Sequence, residues 1–236
     1  MTENNENQNS EKPLSFKLIL RSLLGILVFV VIIFLAAGRL DYWQGWIYNG
    51  INICVLVITF IALKDKPELI RERLKPGKGM KQWDKIFFII STPAFILGIL
   101  FACLDAGRLG WSSQLPVFVY VISIFVYILG QGIFIWAKQA NAFFSTVVRI
   151  QKERGHTVCQ DGPYGFVRHP GYVGGILYSL SGPLVLGSLW ALIPTALGLV
   201  LVIIRTSLED KTLQEELTGY LEYSQKVKYK LIPGIW

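Results

Sequence analysis

Charge is what this sequence has least of. Charged residues make up 17% of 236, whereas a soluble domain of this length carries nearer a quarter. The shortage argues against an ordinary soluble fold, because the 53% of residues in the hydrophobic set come in long runs nearly free of charge. No stretch between the runs is long enough to close a soluble core of its own, so one compact membrane domain is expected. Cysteine is equally sparse: with three, and with no CxxC or Cys/His ligand spacing, neither a disulfide framework nor a metal site is expected. Cys54 and Cys103 sit inside apolar runs as small hydrophobes, and Cys159 stands alone in a polar loop. Nucleic-acid motifs are missing too, so the net charge of +7 is read as orientation and contact with anionic membrane lipids rather than nucleic-acid binding. There are only two histidines, and both fall in one short segment.

What is there in abundance is apolar sequence. A helix needs about 20 apolar residues to span the hydrocarbon core. Four runs meet that length: Leu18–Ala37, Trp46–Leu63, Ile86–Leu104 and Leu115–Ala137. Aromatics gather at the run ends (Tyr42, Trp43, Trp46, Trp83, Trp111 and Trp136), as an interfacial belt would place them. A fifth run, Tyr172–Ile204, is too long for one ordinary span and carries Pro183, Gly187 and Pro194. Two short helices turning at Gly187–Ser188 fit it best, with one kinked helix as the alternative. The polar residues 1–15 read as a disordered tail, and the run after them as a retained anchor.

Basic residues concentrate between the second and third runs (Lys64, Lys66, Arg71, Arg73, Lys75, Lys78, Lys81, Lys85), in 138–168, and after Arg205. By the positive-inside rule both termini face the cytoplasm, which requires an even number of crossings, and the hairpin reading makes six. Beyond Arg205 the chain turns polar but keeps helical spacing, with Leu213, Leu217, Tyr220, Leu221 and Ser224 on one face. The expected fold is all-α: a polytopic membrane bundle with four N-terminal spans in 16–140, then a C-terminal hairpin and a cytoplasmic helix within 141–236.

The chemistry is expected in Asn141–Gly175, a polar segment between membrane runs that holds both histidines and several glycines. Pro170 keeps Arg168 and His169 out of a regular helix. Gly171, Tyr172 and Gly174 then open the next helix, whose first amides are expected to be free for an anion.

HTV at 156–158, GPY at 162–164, RHPGYVG at 168–174 and the acidic pair Glu209–Asp210 form a specific combination. It resembles the isoprenylcysteine carboxyl methyltransferase and phospholipid methyltransferase family of membrane enzymes, and PELIRERL at 67–74 looks familial as well. The resemblance covers roughly the last hundred residues well and the rest only as membrane spans. Where the family often has two glutamates this chain has Glu209–Asp210, so the role carries over more firmly to Glu209.

The resemblance implies an S-adenosylmethionine pocket at the cytoplasmic face and a small lipophilic acceptor. Arg168 then offers a planar fork to the donor's carboxylate, and Glu209, oriented by Arg205, meets its ammonium or ribose. Tyr164 and Tyr172 stack on adenine or lie against the sulfonium. His156 and the backbone near Val158 hold the adenine edge, with help from Gln151. Gly162, His169, Pro170, Gly174 and Asp210 complete the expected binding set, and Arg168, His169 and Glu209 the catalytic one. A carboxylate acceptor needs alignment and dehydration but no base; an amine would need one, with His169 or Glu209 as candidates. Two rival readings stay open. One is an NADPH-dependent reductase of the sterol-reductase type, using Lys226, Lys228 and Lys230 for the 2′-phosphate. The other is a non-catalytic lipid-binding or scaffold protein, in which Arg168, His169 and the tyrosines only anchor the interface.

Overall fold

The computed structural model describes residues 16–73 and 79–236; the expected tail 1–15 and the basic positions Lys75 and Lys78 lie outside them. All regular structure among the described residues is helical: α1 (Phe16–Ala37), α2 (Trp43–Leu63), α3 (Pro67–Arg73), α4 (Gln82–Cys103), α5 (Val117–Ala140), α6 (Pro170–Val185), α7 (Leu192–Glu216) and α8 (Tyr220–Lys226). A π-helical turn, Leu104–Leu109, prolongs α4, and two 3-10 turns punctuate the long segment between α5 and α6. Among the described residues four helices are long and apolar enough to cross a membrane: Trp43–Leu63, Gln82–Leu109, Val117–Ala140 and Leu192–Glu216. The polytopic helical bundle read from the sequence is thus the observed fold.

The fifth apolar run does turn where its glycine stands. Gly187 has φ of +86°, a conformation that costs glycine little, and it follows directly on the end of α6. The prolines sit near the ends of their helices. Pro183 lies in the last turn of α6, and Pro194 in the first turn of α7, where its missing N–H has no helical acceptor anyway. The two arms are unequal, however. With 16 residues α6 is about 24 Å long, short of the hydrocarbon core, whereas α7 has 25 and continues past Arg205 without a break. The polar C-terminal helix of the sequence reading is therefore two pieces. The end of α7 carries Leu213, and α8 begins after a turn at Gly219, whose φ is +84°.

Small residues let the bundle close. A Cβ placed on Gly174 of α6 would lie 2.5 Å from the Gly130 carbonyl oxygen of α5, so these helices touch backbone to backbone. At the end of the bundle away from Asn141, Asp105 is fully buried and accepts from the Ser112 amide (2.6 Å) and the Ser188 hydroxyl (2.5 Å). It pins the α6–α7 turn to the π-helical segment. Tyr42, expected in the interfacial belt, is instead buried there with its hydroxyl on the Leu186 carbonyl, while Trp46, Trp111 and Trp136 are exposed as a belt requires.

Candidate active site

A cavity of about 350 Å³ opens at the polar ends of α4, α6 and α7, beneath the segment 141–169. Ion pairs hold that segment down. Arg149 takes Glu72 of α3 at 2.7 Å and Glu153 at 2.7 Å, and Arg154 lies 3.6 Å from Glu68. PELIRERL thereby has a structural role, because its carboxylates clamp the loop that roofs the cavity. Asp84, fully buried in the first turn of α4, accepts the Val148 amide at 2.7 Å and faces Arg205 of α7 at 2.9 Å. It stands outside the expected site residues; its one visible signal in the sequence is an acid in the first turn of an otherwise apolar helix.

Arg205 is thus held by Asp84, and Glu209 one turn on along α7 also acts on its charge. Its second terminal nitrogen donates to the Thr146 carbonyl at 2.8 Å. The guanidinium carbon lies 4.6 Å from the Phe87 ring, 4.7 Å from Phe88 and 5.6 Å from Tyr172, a cation wrapped in aromatic faces. Nη2 also donates to Asp84 Oδ2 at 3.4 Å, whereas Nε and Oδ1, 2.9 Å apart, lack hydrogen-bond alignment and stay unsatisfied in a buried place.

Arg168 has its fork already engaged. Nε and Nη2 donate to the two oxygens of Asp210 at 2.7 and 3.0 Å, and Nη1 donates to the Val227 and Lys228 carbonyls, both at 2.8 Å. One hydrogen on Nη2 remains of five. Asp210 also accepts from Tyr220 (3.0 Å) and Gln214 (2.9 Å), with His169 Nε2 at 3.1 Å. The second acid of the pair is the hub that ties the RHP turn to α7 and α8, and it is absent from the cavity wall. With Nε2 on Asp210, His169 keeps only Nδ1 for other work. The backbone continues the same lock: the Arg168 and His169 amides donate to the Tyr229 and Lys230 carbonyls at 2.9 and 3.0 Å.

The amides at the start of α6 are less free than the sequence suggested, because those of Tyr172 and Val173 turn back to the His169 carbonyl. Glu209 fits its expectation more simply. It lines the cavity half-buried, with the Tyr172 hydroxyl donating to Oε2. His156 lines the cavity too, stacked on Phe143 with ring centroids 4.5 Å apart. Burial, with Arg154 and Arg149 nearby, holds its pKa down at about 4, so the ring is neutral at physiological pH. Nδ1 accepts the Gln151 amide at 3.2 Å, which puts the ring proton on Nε2 as a donor.

Val158 and Tyr164 lie on the same wall, and burial raises the Tyr164 pKa so that it acts only as a neutral phenol. Gln151, Gly162, Pro170 and Gly174 do not line the cavity; they build its frame. Gln151 is buried and donates to the Phe143 carbonyl at 2.8 Å. Gly162 has φ of +58° and backs onto Trp136, Pro170 starts α6, and Gly174 closes α6 on α5. Away from the polar end, the cavity runs between α4, α6 and α7 along Phe88, Ser91, Phe95, Tyr178, Ser179 and Val202. Polar and apolar halves meet at Arg205, Tyr172 and Glu209.

Residues 121–215 match the model of the isoprenylcysteine carboxyl methyltransferase family. A protein-S-isoprenylcysteine O-methyltransferase of Schizosaccharomyces pombe is 28% identical over 111 residues, which covers 47% of this chain and 41% of that relative. The matched stretch therefore spans less than half of the relative's length. The part of the chain that carries α5, the RHP turn and the Glu209 helix is thus a match to the isoprenylcysteine carboxyl methyltransferase family, as its motifs implied.

Proposed function

We propose that this protein is an integral membrane methyltransferase that takes its methyl group from S-adenosylmethionine and acts on a small lipophilic acceptor. An isoprenylcysteine-like carboxylate is the acceptor that the family match and the name of the S. pombe relative favour. The observation that carries the reading is the two-ended cavity, polar beneath the 141–169 segment and apolar between the helices.

The residues suit the donor. Glu209 supplies a carboxylate for an ammonium or ribose. His156 supplies a neutral N–H donor for an adenine edge, and Phe143, Tyr164 and Tyr172 supply aromatic faces for the ring or the sulfonium. S-adenosylmethionine supplies an electrophilic methyl group, and its transfer needs placement more than proton chemistry. Arg205, at the junction of the two halves, is the cation positioned to steady an acceptor carboxylate, and its aromatic collar keeps water from it. Arg168 and Asp210 act by holding the RHP turn and the tail in place. By the distribution of basic residues, we place both termini and the pocket mouth on the cytoplasmic side, with membrane lipid around the spans.

Calorimetry on detergent-purified protein tests this. S-adenosylmethionine is expected to bind in the micromolar range, and Glu209→Gln to remove binding while the protein keeps its melting temperature. NADPH binding without methyl-donor binding would favour the reductase instead. Binding of neither by folded protein would leave the non-catalytic reading.

A further inference from the structure

The cavity has a definite far end, whose meaning for function rests on the methyltransferase reading. The wall stops at Phe95 on α4, at Ser179 on α6 and at Val202 on α7. Counted from Phe87, the α4 wall is about 12 Å long at the helical rise. Beyond that level α4 and α7 close directly on each other. A Cβ on Gly198 would lie 2.8 Å from the Phe95 ring, and one on Gly98 would lie 2.7 Å from Thr195 Oγ1. The Phe95 ring is therefore seated on bare α7 backbone at Gly198, and one turn further along α4 Gly98 meets Thr195 of α7 closely.

We infer that Phe95, seated on Gly198, is the stop that sets how long an acceptor tail the cavity takes. The tail lies along Phe88, Ser91, Tyr178 and Val202 with its reacting head at the Arg205–Glu209 junction, so its far end meets the Phe95 ring. Because α4 and α7 close on each other behind the ring, shortening Phe95 lengthens the space by the part of the ring removed and no further. Conversely, one methyl on Gly198 drives the ring out of its seat and into the cavity, shortening it. Two substitutions on facing helices thus shift the same quantity in opposite directions. General destabilisation would instead weaken tails of every length together.

The test is competition binding of S-alkyl cysteines with stepwise longer tails to the full chain in lipid nanodiscs, for the wild type, Phe95→Ala, Phe95→Leu and Gly198→Ala. Melting curves identify any variant that fails to fold, and Phe95→Leu is the milder check on Phe95→Ala. Wild-type affinity should rise roughly fourfold per added methylene until the tail reaches the stop, then level off. The break should move to longer tails in Phe95→Ala, less far in Phe95→Leu, and to shorter tails in Gly198→Ala. A break at the same length in all four, or no length dependence in the wild type, overturns the inference. S-adenosylmethionine calorimetry on the same samples separates the two ideas. Donor binding with coincident breaks keeps the methyltransferase and discards the stop, whereas shifted breaks without donor binding keep the stop and discard the methyltransferase.

Discussion

Separating Asp210 from Arg168 should destabilise the folded chain whether or not any ligand is present. The side chains are 2% and 6% exposed, joined by two parallel hydrogen bonds. Replacing Asp210 with Leu strands a guanidinium that keeps only two carbonyls, and it also removes the acceptor used by Tyr220 and Gln214. Breaking a buried pair from one side costs about 3–5 kcal/mol, because the remaining charge stays out of water. Replacing both partners by apolar groups costs far less than the sum of the two single changes. Unfolding free energies in mixed micelles should therefore show Asp210→Leu and Arg168→Met each losing about 3–5 kcal/mol, and the double variant recovering much of that. Two results would refute the reasoning. One is single losses below about 1 kcal/mol, the value of an exposed pair. The other is singles that add to within about 0.5 kcal/mol in the double, as independent sites do.

Three further outcomes are expected from the same geometry. Arg168→Lys should behave nearly as badly as Arg168→Met in the same assay, because an ammonium cannot reach both Asp210 oxygens and the two tail carbonyls together. Gly174→Ala places a Cβ 2.5 Å from the Gly130 oxygen and should cost about 1–3 kcal/mol by overpacking; an unchanged melting temperature would mean that α5 and α6 do not pack this closely. Folding lowers the His156 pKa from 6.5 to about 4, so the unfolded chain takes up the proton first as pH falls. Stability from this group is complete above pH 6.5 and drains away between pH 6.5 and 4. The effect is modest for a half-exposed ring, and His156→Phe should flatten the melting-temperature profile in that window.

The sequence alone decided most of what depends on local pattern, though not the break at Gly219 that splits the C-terminal helix in two. Apolar runs long enough to span a membrane leave helices as the economical way to satisfy the backbone there, so the all-α bundle follows from α2, α4, α5 and α7. Gly187 marked the turn of the last hairpin because that backbone conformation is cheap for glycine. RHPGYVG, GPY and the acidic pair marked the segment that matches the methyltransferase family, and Glu209 and His156 were legible as cavity residues. What a side chain does with its partners was not legible, because partners far apart in sequence leave no spacing to read. Arg168 looked like a free fork, and only the fold brings Asp210 and the Val227 and Lys228 carbonyls onto it. Asp84 gained its meaning only when α4, α7 and the 146–148 stretch of loop met around it and Arg205. PELIRERL became a clamp only when α3 reached Arg149 and Arg154. The far end of the cavity was equally hidden, since nothing in the sequence around Phe95 or Gly198 says that the two will press together. Periodicity records which face of an element is apolar, whereas contact between elements depends on where the chain returns, and that is decided only when the helices pack.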